Sequence, residues 1–473
     1  MNIARNIAKN TVVLLISQIV TYVLAFLYTI YLARYLGVEG FGTLSFALAF
    51  TGLFSVIGDL GLSTLTTREV SRNKSLVGKY LINVTTIKIM LTILMFLLIV
   101  VLLNVLGYPD QIIYFTCVIS VSYILANFSS LFTAFFQAFV KMEYQALSQI
   151  LLSVSLLSGV IFSINQNYGI MAFAFVYLIA YLIQFLFLFF TFLFKFKISK
   201  SNVDLTFWKD LLIKALPLSL ALIFSTISFR VDAVLLSYLA NNSAVGLYSA
   251  AYKLMEALIF IPTIFATVVL PVFASFYVSS KDSLKIAYGK SFKYLSIIGF
   301  PIAMGVMMLA NEIILFIYNS EFTQSEIVLK IVIWAIPFIF LSYLLKIFLI
   351  STDKQNLLFK IVLMTMTLNV ILNLIVIPIY SFIGASVVTV ITEFLTFLLC
   401  FYFISVNVYK IPIKNYMLKP LFASAIMALF ISIVKIDLFL TIFSSILIYF
   451  LTLVLIKTFS EDDLILVKQV FKL

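Results

Sequence analysis

The sequence predicts an all-α integral membrane protein of about fourteen transmembrane helices, and two observations carry that prediction. Of the 473 residues, 64% are hydrophobic and only 11% are charged, whereas soluble domains are roughly 45–50% apolar and about 25% charged. In addition, apolar runs long enough to cross a bilayer as helices follow one another along the chain. This composition excludes a soluble enzyme and a disordered chain.

The predicted spans, numbered 1 to 14 in chain order, are separated by short polar segments. They lie near residues 11–33, 43–67, 81–106, 111–138, 144–164, 169–194, 211–239, 246–276, 294–317, 327–350, 357–379, 384–408, 418–434 and 438–456. None of them shows the alternation typical of barrel strands. Helices must therefore satisfy the backbone hydrogen bonds inside the lipid.

The basic residues test this count, because cytoplasmic loops of membrane proteins are enriched in Lys and Arg. With odd-numbered spans running outward, 22 of the 31 basic residues fall on the cytoplasmic side, and only Arg34 and Lys435 on the other. One miscounted span would scramble this bias in every later loop. The sequence therefore predicts a multi-pass protein of the cytoplasmic membrane with both termini in the cytoplasm.

Several absences narrow the function. The net charge of +12 comes from residues that punctuate the apolar runs, and they form no basic stripe of the kind that binds nucleic acid. There is no histidine, and Cys117 and Cys400 are far apart, so neither a metal site nor a disulfide framework is predicted. The longest polar segment, 195–210, is too short for a catalytic domain. We expect no enzyme activity and no cofactor.

An internal repeat predicts two lobes. The segment 35–47 resembles 238–251 at an offset near 204 residues, and both segments join an outward span to an inward one. Six spans separate the copies, so the copies share one orientation and are related by a pseudo-two-fold axis along the membrane normal. The predicted division is an N-terminal six-helix lobe (1–200), a C-terminal six-helix lobe (201–410), and two additional helices with an amphipathic cytoplasmic tail (411–473).

Ionisable residues inside the spans are candidates for function, because each costs roughly 2.5–3.5 kcal/mol at the bilayer centre and needs a cavity or a partner. Span 7 carries Arg230 and Asp232, and span 8 carries Lys253 and Glu256. Lys253 and Glu256 are three residues apart and share one helix face. They form either a structural ion pair or a charged part of a transport cavity.

Three further ionisable residues lie in other spans: Asp59 in span 2, Lys88 in span 3 and Glu393 in span 12. Asp59 has a second interpretation, because the surrounding Gly58-Asp59-Leu60-Gly61 is also typical of a helix break near the inner surface. Each is therefore a candidate for a polar position in a cavity.

Span 11 carries Asn369 and Asn373, four residues apart on one face. Amides among Leu, Ile and Val must find polar partners in a membrane. Two interpretations stay open: the amides hold neighbouring helices together, or they form an oxygen-rich cation site together with Asp232.

An ordered set of motifs extends over nearly the whole chain. They are Ala33–Phe46, Gly58–Ser63, Arg68–Arg72, Arg230–Asp232, Gly246–Lys253, Asn373–Pro378 and Gly384-Ala385. The set resembles the polysaccharide (O-antigen type) flippase family of the multidrug/oligosaccharidyl-lipid/polysaccharide (MATE-like) superfamily. The resemblance implies two six-helix lobes around a central cavity, followed by two extra helices.

The resemblance also implies a function. Members move an oligosaccharide linked to a polyprenyl phosphate or pyrophosphate across the cytoplasmic membrane by alternating access, for assembly of surface polysaccharide. Implied partners are this lipid-linked oligosaccharide, membrane lipids, and glycosyltransferases or a polymerase of the same pathway. Cations in the cavity would contact the lipid phosphate; the candidates, in order, are Lys253, Arg230, Lys88 and Arg34. The alternative is a cation-coupled drug or metabolite antiporter on the same fold.

The related lipid II flippases use a sodium site that resembles four residues of this chain: Asp232, Asn369, Asn373 and Thr389. Asn373 departs from that pattern, because the relatives have a carboxylate there and this chain has an amide. Glu256, Glu393 and Asp59 complete the candidate polar residues of the cavity. The coupling ion implied is Na⁺ or H⁺, with no bound metal otherwise.

Overall fold

A computed structural model of the protein describes residues 3–196, 202–407, 409, 413–434 and 436–459. Within these ranges the chain forms helices and no strand, which confirms the predicted all-α class. The helices are α1 (Ile3–Asp59), α2 (Leu62–Arg72), α3 (Val77–Val105), α4 (Asp110–Ala138), α5 (Met142–Asn165), α6 (Ile170–Lys195), α7 (Leu205–Leu239), α8 (Asn242–Leu258), α9 (Phe260–Ser279), α10 (Lys281–Met308), α11 (Ala310–Ile317), α12 (Ser325–Val332), α13 (Ala335–Ser351), α14 (Gln355–Asn407), α15 (Ile413–Ile433) and α16 (Leu438–Leu455). The amphipathic tail predicted after residue 459 lies outside the described residues.

Twelve helical segments in the described ranges are long and apolar enough to cross a membrane. Two of them, of 60 and 52 residues, exceed twice the length of one pass, which takes roughly 20 residues. Each contains a kink with left-handed backbone, at Gly37 (φ 66°) in α1 and at Ser381 (φ 50°) in α14. Counting each as two passes brings the number to fourteen; the count and the orientation of the termini stay predictions.

Proline follows two of the helix breaks in the second half of the chain. One residue separates α8 from α9, and two residues separate α12 from α13. Pro262 and Pro337 each occupy the third position of the helix that follows. A proline there removes no hydrogen bond, because the first N–H groups of a helix have no partner within it.

The chain forms two compact units, Met1–Ser249 and Ala250–Leu473. The first unit has a core rich in phenylalanine, in which Phe192 stacks on Phe196 at 4.9 Å and packs against Phe135. In the second unit the ring centroids of Tyr288 and Phe348 lie 4.4 Å apart, and both side chains are fully buried. The predicted lobe boundaries near residues 200 and 410 stay predictions.

The start of α7 is fixed by Asp204. Its carboxylate accepts hydrogen bonds from the Thr206 hydroxyl and the Phe207 N–H and pairs with Lys79 of α3 at 3.0 Å. The Asp204 N–H donates in turn to Asn83 Oδ1. The hydrogen bonds from Thr206, Lys79 and Phe207 hold the pKa of Asp204 below its usual range. This carboxylate therefore caps α7 and ties it to α3.

The two copies of the predicted repeat meet at their glycines inside the first unit. A Cβ atom on Gly42 would lie 1.8 Å from the Asn242 carbonyl oxygen, and one on Gly246 would lie 2.0 Å from the Val38 carbonyl oxygen. Val38 and Asn242, like the two glycines, are 204 residues apart, so the contact follows the offset of the repeat. Asn242 also donates to the Thr43 hydroxyl at 3.1 Å. The crossing of α1 and α8 thus requires glycine on both sides.

We expect Gly42→Ala to lower the free energy of unfolding by about 1–3 kcal/mol, the usual cost of overpacking a tight contact. The measurement is the thermal unfolding midpoint of the purified full-length protein in detergent. Gly169→Ala is the matched control, because Gly169 has φ −68° and no atom within 4 Å of an added Cβ. Equal midpoints for the two variants would contradict the close crossing.

Candidate functional site

The predicted pair on α8 forms an ion pair. Lys253 Nζ lies 2.5 Å from Glu256 Oε2, and each side chain keeps 33% of its surface exposed. The spacing of three residues placed the two side chains on one helix face, and the ion pair is one of the two arrangements that it left open. Because the Lys253 side chain is partly exposed, an anion can approach it while α8 stays folded.

Arg230 and Asp232 of α7 have different surroundings. The Asp232 carboxylate is 4% exposed and accepts a hydrogen bond of 2.9 Å from the Tyr248 hydroxyl. Arg230 is half-buried, and its Nε lies beside Gly52, close to Tyr123. Asp232 is therefore held by a phenol of the same unit, and Arg230 lies near a different tyrosine.

Lys88 and Asp59 form a buried ion pair that the sequence did not indicate. Lys88 Nζ lies 2.5 Å from Asp59 Oδ1, and its side chain is fully buried. The same ammonium donates to the Asn127 carbonyl at 2.6 Å and to the Ser63 and Ser130 hydroxyls at 2.9 and 3.0 Å. Lys88 can therefore contact a substrate phosphate only after this pair opens, and its role as a phosphate ligand stays a prediction.

The helix break considered for Asp59 is also present. Asp59 is the last residue of α1, and the backbone turns at Leu60 (φ 42°) and Gly61 (φ 70°) before α2 begins. The Leu60 carbonyl accepts a hydrogen bond from the Ser219 hydroxyl of α7. The break places the Ser63 hydroxyl of α2 2.5 Å from Asp59 Oδ1. The helix break and the buried ion pair are therefore both present at Asp59.

Six buried polar residues form a polar seam in α14. Asn373 donates to Asn369 Oδ1 at 3.2 Å, and Asn369 donates to the Thr392 hydroxyl at 3.3 Å across the kink. The members are Thr365, Asn369 and Asn373 before the kink, and Thr389, Thr392 and Thr396 after it. These bonds support the interpretation that the amides hold helices together. Thr392 was missed, although Thr389, Thr392 and Thr396 follow helical spacing.

The other candidate residues are not members of these clusters. Glu393 follows Thr392 in α14 and interacts electrostatically with Lys346 of α13. Arg34 is exposed, three residues before the kink of α1. Of the residues of the predicted cation site, Asp232 belongs to the first unit and the α14 residues to the second. The assembly of that site, and the cavity roles of Glu393 and Arg34, stay predictions.

A polar cavity of about 560 Å³ lies within the first unit, among α2, α4, α5 and α6. Four serines, three threonines, four glutamines, two alanines and Arg68 line it. Sequence reasoning missed this cavity because each helix contributes only a few polar residues. No cluster of three or more potential metal ligands occurs in the described part of the chain.

Comparison with known proteins shows the family of the chain. A family model described as "Polysaccharide biosynthesis protein" matches residues 7–277, and the MatE model matches residues 217–375. The capsular polysaccharide biosynthesis protein CapF of Staphylococcus aureus is 26% identical over 207 residues, which are 43% of this chain and 51% of CapF. The match thus spans about half the length of that curated relative.

Solved structures extend the likeness to nearly the whole fold. The lipid II flippase MurJ in an inward closed conformation has a TM-score of 0.76 at 18% identity, over 93% of this chain and 98% of MurJ. A multidrug resistance MATE transporter in an inward-facing conformation has a TM-score of 0.67 at 14% identity, over 82% of this chain and 94% of the transporter. At these identities the likeness shows a shared fold.

Proposed function

Because the chain belongs to the polysaccharide biosynthesis protein family, we propose that it moves a lipid-linked oligosaccharide across the cytoplasmic membrane by alternating access. The observation that carries this proposal is the family match over residues 7–277, more than half of the chain. The fold shared with a lipid II flippase supports it. The substrate would be carried on a polyprenyl phosphate or pyrophosphate and would serve the assembly of surface polysaccharide.

The mechanism we propose for the chain involves no covalent step. The family and the fold are those of transporters. A charged phosphate and a polar oligosaccharide cannot enter hydrocarbon without a large loss of hydration. The protein would supply a polar path for these groups, while the lipid tail stays in the bilayer.

Lys253 is the side chain we propose for the substrate phosphate. Its ion pair with Glu256 keeps a cation in the membrane at low cost before substrate arrives. A phosphate or pyrophosphate offers several oxygens and more negative charge than one carboxylate, so it would compete with Glu256 for the ammonium. Arg230 is the second candidate, because it too is only half-buried.

Depletion of the protein in its own cell tests the function. We expect surface polysaccharide to fall and the lipid-linked oligosaccharide to accumulate in the inner leaflet, where a membrane-impermeant lectin cannot reach it in intact cells. Re-expression of the wild-type chain is the control. Surface polysaccharide that stays undiminished without the protein would contradict the proposal.

The second candidate function is a cation-coupled drug or metabolite antiporter. It is favoured by the MatE family match over residues 217–375 and by the structural likeness to a multidrug resistance transporter. Increased drug sensitivity in depleted cells, with surface polysaccharide unchanged, would favour this candidate. The longer family match supports the flippase over it.

We further propose that a Na⁺ or H⁺ gradient drives transport through Asp232, and Asp232→Asn tests it. The amide keeps the shape but removes the charge that a cation or proton needs, so we expect transport to lose its ion dependence. The measurement is transport with and without an imposed gradient of each ion. Asp353→Asn is the control, because Asp353 is exposed in a left-handed turn that asparagine adopts readily. Dependence that survives Asp232→Asn would place the coupling elsewhere.

The proposed orientation has both termini in the cytoplasm, where glycosyltransferases of the same pathway would act; a polymerase of that pathway is a further proposed partner. We expect reporter fusions after Asn73 and after Gly107 to report opposite sides of the membrane, cytoplasmic and external, because one span, α3, separates them. Fusions that report the same side would contradict this topology.

A further inference from the structure

We propose that the polar cavity of the first unit is a binding site for an uncharged pyranose ring. The identity of the physiological ligand rests on the proposed function, because the ring would belong to the oligosaccharide that is moved. The volume of about 560 Å³ lies within the roughly 300–1,000 Å³ of ligand pockets. The cavity lies wholly within the first unit.

The chemistry of the lining selects a sugar. Eleven of the fourteen lining residues carry a hydroxyl or a primary amide, and Arg68 is the one charged residue among them. Hydroxyls and amides each both donate and accept hydrogen bonds, as do the hydroxyl groups of a pyranose. A lipid tail would need an apolar lining, and a cationic drug would need carboxylates. The lining residues include no carboxylate and no large aliphatic or aromatic side chain.

Part of the lining is left without protein partners. The Ser129 side chain is 4% exposed, and its hydroxyl has no hydrogen-bond partner in the described part of the chain. A buried polar group in that state is unfavourable unless a ligand or water completes it. Ser129 lines the cavity together with Thr133 of the same helix and Gln149 of α5. These three side chains are the contacts we assign to the ring.

The buried Lys88–Asp59 ion pair orients two hydroxyls of the cavity lining. Ser63 and Ser130 line the cavity, and both accept hydrogen bonds from Lys88. Ser63 also donates to Asp59. The Lys88–Asp59 pair thereby fixes the two hydroxyls before a ligand arrives, which reduces the entropy lost on binding. Lys88 and Asp59 are positioning residues in this account.

Hydrogen bonds between side chains order other parts of the cavity lining. Gln137 donates to Gln145 at 3.0 Å, and Thr67 donates to Gln137 at 3.3 Å. Arg68, whose side chain is 46% exposed, pairs with Glu69. Since Arg68 and its neighbours are predicted to face the cytoplasm, the ring would enter from the side on which the oligosaccharide is made.

Saturation-transfer NMR with the full-length protein in detergent tests the site. The probes are the methyl glycosides of glucose, galactose, N-acetylglucosamine and N-acetylgalactosamine, each alone at millimolar concentration. We expect signal from at least one glycoside, reduced at least tenfold by Gln149→Leu. Thr133→Val, which keeps the side-chain shape, is expected to reduce it as well. Gln111→Leu is the matched control, because Gln111 is an exposed glutamine at the start of α4 and outside the cavity.

Each outcome decides the proposal. No signal from any of the four glycosides, or a signal that both Gln149→Leu and Thr133→Val leave unchanged, would overturn it. Displacement of the glycoside by equimolar inorganic phosphate would also overturn it, since the site would then be an anion site at Arg68. If the protein binds a glycoside but does not transport lipid-linked oligosaccharide, the result supports this binding site and contradicts the proposed function. Transport without glycoside binding would support the proposed function and contradict this binding site.

Discussion

Lys253→Ala is expected to lower the rate of oligosaccharide transport about ten- to a hundredfold, because a hydrogen bond to a charged group contributes about 1.5–3 kcal/mol. The change removes the cation proposed for the substrate phosphate. It also removes the positive charge that lies 2.5 Å from the Glu256 carboxylate. The measurements are surface polysaccharide in cells that express the variant and transport by the purified protein.

Two variants serve as controls for Lys253→Ala. Lys330→Ala breaks an exposed pair with Glu326 on one helix of the same unit, and we expect transport within about twofold of wild type because such exposed pairs contribute little. Glu256→Gln removes the competing carboxylate and keeps the cation, so it should transport at least as well as Lys253→Ala. Transport by Lys253→Ala at the wild-type rate, at equal protein level, would show that the phosphate binds elsewhere.

Asp59→Ala is expected to destabilise the protein by about 3–5 kcal/mol, because it leaves a buried charge without its partner. Lys88 is fully buried, and its remaining hydrogen bonds go to neutral oxygens. The double variant Asp59→Ala/Lys88→Met should recover much of this loss, since an apolar side chain of similar length needs no counter-charge. The measurement is the thermal unfolding midpoint of the purified protein.

The control for Asp59→Ala is the same substitution in an exposed lysine–aspartate ion pair. Asp210→Ala removes the partner of Lys214, and in that pair the two side chains are 51% and 62% exposed. Exposed pairs contribute about 0–1 kcal/mol, so the midpoint should hardly move. If Asp59→Ala and Asp210→Ala unfold at the same temperature, the buried pair does not have the energetic role described here.

The fold could be predicted from the sequence because span length and hydropathy are local properties. Each predicted span coincides with one helix, with part of one, or with two helices separated by one or two residues. The first two spans lie on either side of the kink at Gly37. The repeat offset of 204 residues also has a structural counterpart, the contact between Gly42 and Gly246. The contact itself could not be predicted, because matching segments need not touch.

The candidate site could be predicted only where its residues share a helix. Lys253 and Glu256 pair as their spacing indicates, and Asn369 bonds Asn373 one turn away. The pairing of Asp59 with Lys88 joins two helices, and no spacing along the chain reports which helices pack together. The polar cavity was missed for the same reason, because four helices contribute to it.

The most direct test of the proposed function is transport by the purified protein in liposomes that carry a polyprenyl-diphosphate-linked oligosaccharide in both leaflets. A membrane-impermeant lectin binds the oligosaccharide in the outer leaflet and leaves the inner pool protected. We predict that vesicles with the wild-type protein expose the inner pool within minutes, and that vesicles with Lys253→Ala do so about ten- to a hundredfold more slowly. An inner pool that stays protected in the presence of folded wild-type protein, with every ion gradient tried, would contradict the flippase function.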